Sequence, residues 1–309
     1  SALLCGAVAG CGRSAAQADG SEGDIRVSGA WALYPLMVRW AEEYQKLHPG
    51  VRIDVSAGGA GKGIADALAG LVNIGMVSRE IRPEETAKGA FPVPVAIDAV
   101  FATGNASNAA LTPAFLARGV RKATLAGLWV GGQGASWREI TGEASSDAVQ
   151  VYTRSDSCGA AETWARFLGG KGQESLKGVG VYGDPGVAEA VKGDPRGIGY
   201  NNLNFAFDPR TGAPVTGLVV LPIDANENGR IDPQERVATR REAVEAVRTG
   251  AYPSPPARTL YLVTRGRFDG PTKAFVRWIL SDGQKFVDEA GYVALPEDTL
   301  ARARESLNP

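Results

Sequence analysis

From Asp24 onward the chain switches repeatedly between a period of two and a period of about 3.6, and that alternation restricts it to an α/β fold. IRVSG reads as a strand, and Leu33, Met37, Trp40, Tyr44 and Leu47 then recur at helical spacing until His48-Pro49-Gly50 ends the run. VRIDVS alternates as a second strand, the glycine-rich turn GGAGKG leads into a helix over IADALAG, and VNIGMVS is a third strand that closes on Arg79. These are βαβαβ units. In open parallel sheets such strand-to-helix turns gather at one edge, where helix N-termini offer free N–H groups to a ligand, an anion above all.

FPVPVAIDAVFATGN is an apolar run without alternation, flanked by prolines and an Asn-bearing turn, and it predicts a buried strand leaving this first lobe. A second lobe then carries LTPAFLARG, TLAGLWVGG, VQVYTRS, AAETWARFLGG, EAVKGDPRGIGYNN and GLVVLPI. After TRREAVEAVRTG and the proline-rich YPSPPAR, TLYLVTRG returns to lobe one, where KAFVRWILSDGQKFVDEAG reads as one long amphipathic helix. Two crossings predict a hinge. The expected division is residues 24–98 plus 259–309 for lobe one and 99–258 for lobe two. A chain of 309 residues suits this, because a single core stops growing near about 250–300 residues.

Several functions are disfavoured. Lys plus Arg number 33 and Asp plus Glu 34, with no run of five like charges, so no footprint for nucleic acid is present. GGAGKG fails the phosphate-loop pattern of nucleotide-binding proteins, since Ser56 stands where its first glycine belongs and Gly63 follows Lys62. The one histidine, His48, lies at a helix end in the other lobe from Cys158, so no catalytic triad is arguable and no enzyme is expected. Cys158, near Arg154 at a helix start, is expected to have a lowered thiol pKa, with a small packing or weak-donor role rather than a nucleophilic one. Trp31 and Tyr34 sit at the first turn, where an aromatic either lines a cleft or joins the core.

The first residues carry a different signal. SALLCGAVAG is apolar and rich in small residues, Val8-Ala9-Gly10 precede Cys11, and the polar stretch GRSAAQADGSEGD follows. This resembles a bacterial lipobox, so residues 1–23 are expected to be a signal remnant, lipobox and tether, with Cys11 lipidated. Ten apolar residues are too few to span a bilayer.

A calcium loop is also expected. Asp224, Asn226, Asn228, Gly229, Asp232 and Glu235 fall at positions 1, 3, 5, 6, 9 and 12 of the EF-hand pattern, and Arg230 supplies its carbonyl at position 7. Its flanks are a strand and a helix, so the loop is isolated and the calcium structural.

The order of these segments resembles the phosphate-binding receptor of the bacterial high-affinity phosphate ABC importer, of the type II periplasmic binding protein superfold. The residues that carry the likeness are SGAWALYPLMVRWAEEY, SAGGAGKGIADAL with VNIGMVSREI, YTRSDSCGAAETW, GIGYNN, YLVT and LSDGQKFVDEAGY. The resemblance implies a two-lobed receptor with two chain crossovers at a hinge, and a monomer. It implies anion binding by Leu33 and Tyr34 of the first turn, Ala60 and Gly61 of the second, with Lys62 beside them, and Ser78 and Arg79 of the third. The fourth turn contributes Arg154, Asp156, Cys158, Gly159 and Ala160. Arg154 pairs bidentately with anion oxygens, and Asp156 orients it or accepts a proton from the ligand, which favours phosphate over sulfate. Leu33, Ala60, Cys158 and Ala160 stand where the family carries Ser or Thr, so a sensor or receptor for another oxyanion (molybdate, sulfate) or a small acid is the alternative, with a phosphoesterase behind it. The implied partners are inorganic phosphate and a transporter permease, and the implied place is the periplasm or cell surface.

Overall fold

The computed structural model describes residues 22–308 other than 133 and 146, so Cys11 and the lipobox lie outside the described residues. The first lobe opens with β1 (Gly23–Gly29), α1 (Tyr34–Leu47), β2 (Val51–Ala57), α2 (Ala60–Leu68), β3 (Ile74–Val77) and α3 (Pro83–Ala87). β4 (Ala90–Asn105) then runs into the second lobe, which continues with α4 (Pro113–Arg118), β5 (Val120–Arg121), α5 (Lys122–Trp129), α6 (Trp137–Thr141) and β6 (Gln150–Arg154). It goes on through α7 (Gly159–Phe167), β7 (Val179–Val181), α8 (Gly183–Gly193), β8 (Gly197–Asn202), α9 (Leu203–Ala206), β9 (Leu218–Val220), β10 (Ile223–Asp224) and α10 (Arg240–Thr249). β11 (Ala257–Arg265) returns, and α11 (Gly270–Ile279), α12 (Lys285–Glu289) and α13 (Glu297–Ser306) complete the first lobe.

One long sheet, in the order β2-β1-β3-β11-β4-β8-β6-β7, serves both lobes, with β9 also on β4. β1 is parallel to β2 and β3, as βαβ units require, and β11 is antiparallel to β3 and β4. β4 pairs with β11 through its first part and with β8 from Val100 to Gly104. Pro92 and Pro94 fall in the first part, where β11 is the one strand neighbour among the described residues, so their missing N–H groups cost no second ladder.

Among the described residues two large buried cores flank this spine, with a small third cluster of Val187, Ala188, Val191 and Leu218 in lobe two. One gathers Ile25 to Ala96 and Leu260 to Leu307; the other gathers Ala99 to Ala257 and adds Val293, which bridges to Ile97. The cores therefore meet around residues 97–98 of β4 and 258–259 of β11, side by side in the sheet. That is hinge geometry, two adjacent strands carrying the connections.

Two expectations are corrected. The glycine-rich turn is shorter than read, since α2 begins at Ala60 and Gly58-Gly59 alone make the turn, Gly59 with φ of +88°. The long terminal helix is broken into α11, a single 3₁₀ turn at Asp282–Gln284 and α12. Trp40 of α1 donates from Nε1 to the Gly283 carbonyl at 2.8 Å, and Gln284 Nε2 donates to the carbonyls of Val95 and Ile279. Amphipathic periodicity continues through such a break, so it is invisible to pattern alone.

Candidate functional site

The cleft-edge turns meet across the two lobes. Gly61 N–H donates to the Ser157 carbonyl at 3.0 Å, which joins the start of α2 to the turn before α7. A Cβ on Gly159 would lie 2.2 Å from the Ser78 carbonyl oxygen, so turns three and four touch at a glycine with no room for a side chain. A Cβ on Gly59 would lie 2.6 Å from the Ser157 carbonyl oxygen and 2.8 Å from the Asp156 carboxylate. Trp31 of the first turn packs against Tyr182, 6.3 Å between ring centres, and against Gly183 at the start of α8. The lobes are closed on one another.

Arg154, at the end of β6, is the charged centre of this contact, and it is 4% exposed. Its Nε and Nη2 donate to the two oxygens of Asp156 at 2.7 and 2.5 Å, and Nη1 donates to Asp184 at 2.5 Å. A guanidinium has five N–H groups, so two have no protein acceptor among the described residues. Burial works against its charge, but Asp184 and then Asp156 outweigh that and hold Arg154 above the ordinary arginine value. Next to it α7 starts at Gly159, where the N–H groups of Gly159 and Ala160 are helix-start donors with no intrahelical acceptor. A fixed cation with open donors beside a helix N-terminus is a place for an oxyanion.

Cys158 is the N-cap of α7: its Sγ accepts from Ala161 N–H at 3.3 Å, the task a Ser or Thr oxygen ordinarily performs. The expected lowering of its pKa is overturned. Burial pushes the thiol up to about 12 and outweighs Arg154, so the group is a protonated cap and no nucleophile.

The other expected ligand groups fall in two sets. Ala60, Gly61, Ser78, Arg154, Asp156, Gly159 and Ala160 are brought together at the inter-lobe contact. Four others are engaged elsewhere. Leu33 and Tyr34 both turn their N–H groups to the Ala30 carbonyl, at 3.1 and 3.2 Å. Lys62 pairs with Asp66 one turn along α2 and is about half exposed. Arg79 forks onto Glu85 at 2.6 and 2.9 Å, with Glu80 carbonyl as a further acceptor. An arginine so paired is a structural clamp on α3 rather than a free donor in the cleft, because the local carboxylate lies six residues away and fits the planar fork.

Sequence reasoning missed a second layer behind Arg154. Asp184 is fully buried and also accepts from the N–H and Nδ2 of Asn202 at 3.1 and 2.8 Å. Arg258 of β11 reaches Asn202 Oδ1, donates from Nε to the Ser78 carbonyl at 3.1 Å and lies 3.2 Å from Asp98. Tyr200 supports β6 through Thr153 Oγ1 and the Arg154 N–H. A signal was available: Asp98 and Arg258 are charges inside otherwise apolar strands, which a chain tolerates only as a pair.

In the 224–235 loop, Asp224 accepts from the N–H groups of Asn228 and Gly229, and Glu235 from those of Ala225 and Asp232. Asn226 and Asn228 donate to Asp232, whose carboxyl they hold below its ordinary value together with Arg230. The twelve-residue ring is thus closed at its ends. Among the described residues no three His, Cys, Asp or Glu side chains converge as a ready-made metal cluster.

A hinged α/β clamp whose lobes meet over helix N-termini and a buried arginine is a solute-binding protein of the type II periplasmic binding fold. The chain belongs to the PBP superfamily, whose domain model matches residues 14–283. The phosphate-binding protein PstS of Methanocaldococcus jannaschii is 26% identical, over 92% of this chain and 85% of that protein. PstS of Bacillus subtilis is 24% identical over 91% and 84% respectively. Among solved structures, a phosphate ABC transporter substrate-binding protein from Clostridium perfringens with bound phosphate superposes with a TM-score of 0.71. It is 21% identical, over 89% of this chain and all of that one.

Proposed function

We propose that this protein captures inorganic phosphate between its lobes for delivery to an ABC importer, and that it acts as a receptor rather than an enzyme. Buried Arg154, held by Asp156 and Asp184 with two N–H groups to spare beside the start of α7, carries the reading. The names of its relatives point the same way. Asp156 and the backbone donors of Gly159 and Ala160 complete the proposed contacts, and Ala60, Gly61 and Ser78 close the opposite wall. Leu33, Tyr34, Lys62 and Arg79 are not needed for this reading. Carboxylates so close to the ligand reward a protonated oxyanion, since sulfate at neutral pH brings no hydrogen to share.

The location proposed is outside the cytoplasmic membrane, held by a lipid on Cys11; support comes from the small residues before Cys11 and the polar tether after it. No helix among the described residues is long and apolar enough to cross a membrane. Calcium is proposed for the 224–235 loop, with Asp224, Asn226, Asn228, the Arg230 carbonyl, Asp232 and Glu235 as holders. The donor set is oxygen throughout, and Asp224 and Glu235 are buried, 1% and 6% exposed, with no ion pair recorded for either among the described residues. A hard cation would supply that missing charge.

Calorimetric titration of ligand-free protein with phosphate, sulfate, molybdate and a carboxylate, at fixed calcium, tests the receptor reading. Phosphate alone is expected to bind at micromolar or lower concentration. Silence toward phosphate with binding of another anion would move the protein to a different ligand.

A further inference from the structure

The three groups that Arg258 reaches belong to three different parts of the molecule. Ser78, whose carbonyl accepts from Nε at 3.1 Å, ends lobe one's third turn. Asn202, whose Oδ1 accepts from Nη2, ends β8 of lobe two. Asp98, 3.2 Å from Nη1, lies opposite Arg258 on the crossing strand β4. Arg258 is 8% exposed, Asn202 2% and Asp98 1%, so water offers these groups little substitute for one another.

From Arg258 the contacts run straight to the anion site. With Oδ1 held by Arg258, the Asn202 amide is fixed in the orientation that points Nδ2 at Asp184. The same Asp184 oxygen receives Arg154 Nη1 at 2.5 Å. Asp156, two residues from Arg154 on the same turn, orients the guanidinium locally, whereas Asp184 orients it from the other lobe-two elements and through them from the hinge. Ser78 follows β3, the strand beside β11, so the Arg258–Ser78 contact lies on lobe one's side of the hinge, whereas the Arg258–Asn202 contact lies on lobe two's. If the strands bend at residues 97–98 and 258–259, Ser78 and Asn202 move apart and one arginine can no longer reach both.

We infer that Arg258 is the positioning residue that couples lobe closure to anion capture, by way of Asn202 and Asp184 to Arg154. Closure completes the fork on Arg258, the fork fixes Asn202, and the Arg154 guanidinium is thereby locked with its open N–H groups in place. Conversely, an anion that binds the locked Arg154 favours the closed lobes, because linkage between the two is reciprocal. This rests on the cleft reading of Arg154 given above, and it adds a residue remote from the ligand to that reading.

The test uses the full chain, wild type, Arg258→Lys, Asn202→Ser and the double variant, with inorganic phosphate as the probe. Each single variant is expected to weaken phosphate binding about tenfold or more, the effect of losing one hydrogen bond to a charged group. The double variant is expected to be no weaker than the weaker single one, because both break the same chain of contacts. A purely structural role would lower the melting temperature and leave phosphate affinity unchanged, and that result overturns the inference, as does an additive double variant. Small-angle scattering without phosphate supplies a second reading: both variants are expected to shift toward a larger radius of gyration. Wild type that ignores phosphate would remove the proposed ligand, and the scattering comparison would still decide on Arg258, with unchanged scattering overturning it. Should Arg258→Lys not fold, Asn202→Ser alone carries both measurements.

Discussion

Gly159 shows how little tolerance the cleft has at the level of single residues. It starts α7, and any side chain there would run into the Ser78 carbonyl 2.2 Å away, a backbone atom that cannot rotate aside. Gly159→Ala is therefore expected to weaken phosphate binding about ten- to a hundredfold by holding the lobes apart, with the melting temperature nearly unchanged; calorimetry beside a thermal melt checks both. Asp98 presents the opposite case, a charge the fold holds at a cost. Burial raises its carboxyl from 3.8 to about 6 against the pull of Arg258. The folded chain thus binds this proton more tightly than the unfolded chain does, so the group's contribution is fully present below about pH 4 and lost as pH rises through about 6. Across that window wild type should lose up to about 3 kcal/mol relative to Asp98→Asn in denaturant titrations, and a constant difference between the two would contradict the assignment.

At the scale of elements, the loop between β10 and α10 is where charge and local structure meet. Its ends are tied by Glu235 and its turn by Asp224, both through backbone N–H groups, and β10 is pinned to β5 beside Arg121. Chelation of calcium is expected to lower the melting temperature, and Asp224→Ala should remove that difference. Equal melts with chelator and at millimolar calcium would count against a metal there. The strands and most helices were legible because their periodicity reflects which face is buried: Trp40 and Tyr44 recur along α1 and both lie in the core. The interruption between α11 and α12 was not, because its hydrogen bonds run to remote segments, from Trp40 to the Gly283 carbonyl and from Gln284 to the Val95 carbonyl, and those leave no local pattern.

For the whole molecule the decisive variable is the relation between lobes. Trp31 sits at the cleft rim against Tyr182 and Gly183 of the facing lobe, whereas Trp40, Trp129, Trp137 and Trp164 are buried within single cores. Phosphate is expected to change tryptophan fluorescence chiefly through Trp31, and Trp31→Phe should abolish most of the change without loss of binding; an undiminished signal would show that closure does not pass this edge. The sequence by itself determined the α/β alternation, the crossing strands and the turns that carry Arg154, Asp156 and Gly159, since these depend on local periodicity and turn chemistry. Tertiary structure decided the rest. It sent Lys62 to Asp66 and Arg79 to Glu85, and it turned Cys158 into a neutral helix cap. It also brought Asp184, Asn202 and Arg258 behind Arg154, residues up to 104 positions from it whose partnership follows from burial in a shared interior rather than from spacing along the chain.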